Sequence, residues 1–255
     1  SAASDVYKRQ TLITSVSGFV TTFSSGVTAS MGNLIASETK ERAYEVYKRV
    51  DFINYWLYTF TATCLLCLVE PFVAIWLGQA FVLTKAILIL AVAIYYFKGI
   101  NSGIDIAKNA AGLYYPDRFI PMAEAIANMV ISIVLAKRYG IAGVLFGTLV
   151  SFLALSFWAK PYFVCRDVFE VSFARYAVRE GREIVVSVLV AAGTWYAVSL
   201  VSLENVLLSF GVKALLALAL SNGLLLLVYF KTSEFQYLRG LLESAANRIG
   251  KRKKA

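Results

Sequence analysis

The sequence predicts an all-α, polytopic transmembrane helix bundle of about seven spans. Three observations carry that expectation. Of 255 residues, 59% are hydrophobic and only 16% charged, where a soluble domain carries about a quarter charged residues. The apolar residues gather in runs close to the ~20 that an α-helix needs to cross ~30 Å of hydrocarbon. The basic residues fall between the runs, far more on one side of the expected membrane than on the other. The net charge of +9 therefore reads as loop charge, and no nucleic-acid partner is expected.

The clearest element is 115–151. Two apolar runs, 119–136 and 141–157, are separated only by Lys137-Arg138-Tyr139-Gly140. A corner that short allows nothing but an immediate return, so a membrane hairpin is expected. Glu124 and Asn128 share a face of its first helix, and Gly143, Gly147 and Ser151 form a small-residue ridge along its second.

In chain order, residues 1–10 (SAASDVYKRQ) lack an initiator methionine and an apolar stretch. They are expected to be a non-native, adaptor-derived leader on a C-terminal fragment, the native protein beginning upstream. Residues 11–164 are expected to hold five core spans. The first, 11–36, carries Thr14, Ser17, Thr21, Ser24 and Thr28 on one stripe. Such a stripe serves either hydroxyl-mediated helix packing or the wall of a hydrated cavity. Residues 37–49 read as a charged loop, and the second span, 50–77, ends at an interfacial Trp76. Asp51, Asn54, Tyr58 and Thr61 repeat the one-face pattern at its start. Cys64 and Cys67 form CxxC in mid-run without a second pair or βαβ context, and the chain has no histidine. Redox and metal roles are not expected.

The third span, 85–106, places Tyr95, Lys98, Asn101, Asp105 and Lys108 at three and four spacings. The hairpin supplies spans four and five. Residues 165–182, basic with Phe169, Phe173 and Tyr176, read as a cytoplasmic amphipathic linker lying on the membrane surface. Residues 183–230 read as a plain, peripheral, lipid-facing pair of spans. Residues 231–255 read as a basic amphipathic tail ending in KRKK, suited to anionic membrane lipid. Lys and Arg between the spans place 37–49, 107–118, 160–182 and 231–255 on the basic side, against Lys85, Lys137, Arg138 and Lys213 opposite. The basic side is expected in the cytoplasm, with the C-terminus there and Gly78, Gly140 and Glu204 outside.

The stretch GVTASMGNLIASETKERAYEVYKRVDFINYWLYTF and the hairpin's AIANMVISIVLAKRYGIAGVLFGTLVS resemble bacterial polysaccharide flippases. These belong to the multidrug/oligosaccharidyl-lipid/polysaccharide (MATE-like) superfamily. The resemblance covers about residues 15–166; the 183–230 pair matches only as the extra helices of fourteen-helix members. It implies a two-lobed, V-shaped bundle in the bacterial cytoplasmic (inner) membrane. Such a bundle flips lipid-linked oligosaccharide, often on undecaprenyl pyrophosphate, by alternating access for O-antigen-type surface polysaccharide synthesis. This chain would supply most of the second lobe and need the N-terminal lobe as partner.

The residues agree with that role in kind. A flippase gives a polar head group a wet path through hydrocarbon, and so places polar stripes on several helices facing one cavity. Cavity candidates are Thr21, Ser24 and Thr28, then Asn54, then Lys98, Asn101 and Asp105, then Glu124 and Asn128. No enzymatic activity or cofactor is expected, since the phosphate-cradling GxxxxGK[ST] loop and the HExxH motif are absent from the sequence; Na⁺ or H⁺ could couple transport. An ion-coupled multidrug antiporter of the same fold is one alternative. A membrane glycan polymerase or glycosyltransferase is another, and a structural scaffold a third. For Lys98, which costs ~2.5 to 3.5 kcal/mol near the bilayer centre, three readings stand open. It pairs with Glu124 or Asp51, it contacts cargo or serves coupling, or it lies at the interface.

Overall fold

The structure, a computed structural model, describes residues 31–82 and 84–240. The described residues are helical, without strands, and five stretches are long and apolar enough to cross a membrane. One of the five, Ile120–Phe169, doubles back on itself, so six arms run alternately up and down. The chain is a multi-pass membrane protein. The expected first span, with Thr21, Ser24 and Thr28, lies outside the described residues except for its end, helical over 31–37.

Helix α1, Lys40–Trp76, is the hub. Thr39 caps it, its side chain accepting from the Arg42 amide at 3.4 Å, and Glu41 sits in the first turn, where the helix dipole favours an acid. The expected 37–49 loop therefore shrinks to Glu38 and Thr39. Lys, Glu, Arg and Ala are strong helix formers, and their charge did not prevent the helix from starting ten residues before its apolar run. At 37 residues α1 is about 55 Å long, well beyond a ~30 Å hydrocarbon layer.

Gly78 (φ 96°) and a 3₁₀ turn, Gln79–Phe81, reverse the chain into α2, Lys85–Ala110. Helix α2 meets α1 through Gly99 and Gly103, one turn apart. A Cβ on Gly99 would strike the Tyr58 ring, and one on Gly103 the Asp51 carboxylate. This is small-residue packing of the GxxxG kind.

The hairpin is present as expected. Helix α3, Ile120–Ala154, turns back at Gly140 (φ 57°, ψ −132°), and its arms run antiparallel. Ser132 donates to the Val144 carbonyl at 3.3 Å, and Thr148 to Asn128 Oδ1 at 3.3 Å. The ridge sets the spacing: a Cβ on Gly143 would collide with the Leu135 carbonyl, and one on Gly147 with Ser132. A break at Leu155 leads into α4, Ser156–Val164, and a π-helical turn, Cys165–Phe169, closed by left-handed Glu170.

The 165–182 linker is not a surface helix. Helix α5, Phe173–Ser199, begins inside it and runs unbroken through the next span. Phe169 and Tyr176 do not face lipid; both are buried, and Phe169 packs 5.4 Å from Tyr44 and 5.0 Å from Tyr47. Helix α6, Val206–Tyr229, capped by Asn205, returns beside α5. This pair is not plain, because its inner faces carry Glu180, Glu183, Ser187, Thr194, Ser209 and Ser221, all buried. The tail forms a further helix over 233–240, with Phe235 stacked on Trp56 at 5.7 Å and Arg49 over the Tyr237 ring.

One apolar core joins α1, α2, the hairpin, α5 and α6 through Phe52, Tyr55, Tyr96, Phe152, Val190 and Leu225. The turns at 38–39, 111–119, 165–172 and 230–232 lie at one end, which collects most of the basic residues.

Gly147→Leu should force the hairpin arms apart at a cost of about 1–3 kcal/mol, read as a lower unfolding temperature in detergent. Gly211→Ala, where a Cβ meets open space, should stay within about 0.5 kcal/mol of wild type. Equal stability of the two variants would refute the close approach of the arms.

Candidate functional site

The seam between α2 and the hairpin gathers several of the sequence-predicted residues. Lys98 stands at the middle of α2, exposed on the bundle's outer surface, with its ammonium 5.7 Å from the centre of the Phe152 ring. It makes no ion pair among the described residues. The two acids of the pairing reading are engaged elsewhere: Glu124 accepts from Ser156 Oγ, and Asp51 from Arg179. Asp105 pairs with Lys160 of α4 at 2.9 Å. Asn101 turns inward, its amide nitrogen 3.4 Å from the Phe157 carbonyl.

Two candidates act as joints within the bundle. Asn54 donates from Nδ2 to the Gly99 carbonyl at 2.9 Å and fastens α1 to α2. Asn128 accepts from Ser132 at 2.8 Å and from Thr148, and closes the hairpin. A polar side chain in hydrocarbon must find a partner, and a neighbouring helix supplied it. Lys98 thus stands beside Phe152 of the hairpin, Asp105 pairs with α4 and Glu124 bonds where the hairpin meets α4, while Asn54 and Asn128 serve helix contacts.

A second cluster, between α1 and α5, was not anticipated as a site. Asp51 on α1 accepts from Arg179 Nη2 on α5, and Arg179 Nε stands 3.9 Å from Glu183. The guanidinium lies 5.7 Å from the Tyr47 ring and 5.4 Å from that of Tyr176. Glu180, on the same face, is 3% exposed. Hydroxyls continue this polar column toward the other end of the bundle. Tyr55 donates to the Glu183 carbonyl at 3.1 Å; Ser187 accepts from Tyr96 at 2.9 Å and shares a hydrogen with Thr59 at 2.7 Å. Beyond them a cavity of about 370 Å³ opens between α1, α2 and α5, apolar along its walls, with Glu70, Lys85 and Trp195 among its lining residues.

One signal could have found this column. Tyr176, Glu180, Glu183, Ser187, Val190, Thr194 and Val198 follow three and four spacings along α5, the period of a helix with one buried face. Its first half lay in a segment read as a surface linker, and its second in a span read as plain. No known protein family, characterised protein or solved structure matches the chain.

Breaking the buried pair and breaking the seam pair should differ in cost. Arg179→Met leaves buried carboxylates uncompensated and should cost about 3–5 kcal/mol. Lys160→Met, opposite an Asp105 side chain that is 40% exposed, should cost about 0–1 kcal/mol. Adding Asp51→Asn to Arg179→Met should recover part of the loss, and strict additivity in unfolding measurements would refute the coupling.

Proposed function

We propose that the chain forms one lobe of an alternating-access transporter that flips lipid-linked oligosaccharide across the bacterial cytoplasmic membrane for surface polysaccharide synthesis. The observation that carries this reading is Lys98, an exposed, unpaired cation at the middle of a membrane-crossing helix. An ammonium in that position is costly unless it faces water, a partner or a ligand. With its intramolecular partners otherwise engaged, the seam of α2 and the hairpin becomes the wall of a hydrated cavity, closed on its open side by a second lobe. The cargo's pyrophosphate, or acidic groups on its sugars, is the anion that Lys98 meets there, while the polyprenyl chain stays in lipid. Asp105–Lys160, two turns along α2 from the cation, and Glu124–Ser156, where the hairpin meets α4, are in this reading the hydrogen-bonding partners of the sugar hydroxyls.

The basic end of the bundle faces the cytoplasm in this reading, which the distribution of Lys and Arg supports. Reporter fusions should be active on the outer side at Gly78, Gly140 and Glu204, and on the inner side at Glu41 and Arg175. The opposite pattern would refute the orientation.

The site is tested by a charge series at Lys98 in the complete gene, expressed in a strain lacking its own repeat-unit flippase. Lys98→Arg should restore surface polysaccharide. Lys98→Ala and Lys98→Glu should reduce it at least about tenfold, the equivalent of ~1.4 kcal/mol in the transport step, at unchanged protein level in the membrane. Normal polysaccharide from Lys98→Ala would overturn the assignment.

A further inference from the structure

We propose that Glu180 is the binding site of an exchangeable proton. The inference deepens the transporter reading, naming a proton as the coupling ion, and rests on that reading only for this last step.

The charges in the α1–α5 joint do not balance. Asp51, Glu180 and Glu183 are each no more than 5% exposed, and they share one guanidinium, that of Arg179. Arg179 pairs with Asp51 and reaches Glu183, but has no ion pair with Glu180. Arg175 and Arg182 on the same helix are exposed; Arg182 acts on Glu183, as does Glu234 from the helix over 233–240. Tyr44, Tyr47 and Tyr55 of α1, Tyr96 of α2, Cys165 of the π-helical turn, Tyr176 of α5, whose hydroxyl is a donor toward Glu180, and Tyr229 of α6 complete the titratable surroundings of the joint, and none of them supplies a cation. With Arg179 set against Asp51 and with Arg179 and Arg182 both reaching Glu183, the charge left over is that of Glu180, where an uncompensated buried ion costs several kcal/mol.

A second observation points into the same place. The Tyr47 hydroxyl, on a side chain 1% exposed, is directed at Asp51 without completing a hydrogen bond, and Arg179 Nε also lacks an acceptor. The polar groups of the joint are therefore not saturated by one another. No three acidic or thiol side chains among the described residues converge closely enough to hold a metal ion. A proton needs only one oxygen. Glu180, the one carboxylate of the three without a guanidinium, takes it: hydronium gives up a proton, an O–H bond forms on the carboxylate, and water leaves. Ser187, bonded to Tyr96 and Thr59 one turn beyond Glu183, connects the joint toward the cavity.

Infrared difference spectroscopy on the intact protein in liposomes without cargo tests the site. Raising the pH from mildly acid to mildly alkaline should remove a protonated-carboxyl C=O band. That band should be missing in Glu180→Gln at every pH and retained in Asp105→Asn. A band that persists in Glu180→Gln, or no pH-sensitive band in wild type, would overturn the proposal. Should Glu180→Gln not fold, Glu180→Asp should shift the band, and an unshifted band would overturn it equally. Because no cargo is present, the outcome is independent of the Lys98 experiment. Proton-dependent transport persisting in a folded Glu180→Gln would overturn the coupling step alone.

Discussion

Hydrocarbon solvates neither a backbone amide nor an ionised side chain, and the architecture follows from that. Backbone groups are satisfied within helices, so the described residues cross as helical arms, with irregular backbone at the ends of those arms. Side-chain polarity obeys the same rule less strictly. Asn54 bonds to carbonyls of α2, Asn128 to the opposite arm of the hairpin, and Thr59 to Ser187 of α5. Each of these groups also acts as a fastener between helices, and α1 holds several because it lies between α2 and the α5–α6 pair.

Features set by length and apolarity were legible in the sequence. The hairpin could be read because Lys137 to Gly140 interrupts an otherwise continuous apolar run, and only glycine enters the φ 57° region there without strain. The ends of the spans at Trp76, Lys85 and Tyr229 fall close to the edges of the hydropathy pattern for the same reason. The beginnings of α1 and α5 were not legible, because a charged amphipathic stretch looks alike whether it lies on a surface or forms the first turns of a longer helix. Tertiary contacts decided between the two. Tyr47, Phe169 and Tyr176 close on one another and pull the start of α5 onto α1.

The candidate site divides along the same line. A lysine in mid-span declares itself by its cost, so Lys98 could be singled out from sequence alone. Asp51 was also visible, but its partner was not, since Arg179 lies 128 residues away in a segment with several other arginines. Nothing in the spacing distinguishes the buried Arg179 from the exposed Arg175 and Arg182 until the face of α5 is known. The same face explains why Glu180 passed unremarked in the surface linker and Glu183 at the start of a span read as plain. Polarity is read one residue at a time, whereas burial belongs to pairs of helices.

Helix α1 extends by roughly 25 Å beyond the thickness of the apolar layer, and the α1–α5 joint lies near where it emerges. At its first turn Lys40 pairs with Glu170, just past the π-helical turn. The overhang is therefore not a free end: Tyr44 and Tyr47 lie buried with Phe169 and Tyr176, so the part of α1 that exceeds the apolar thickness is a packed collar joining α1, the π-helical turn and the start of α5.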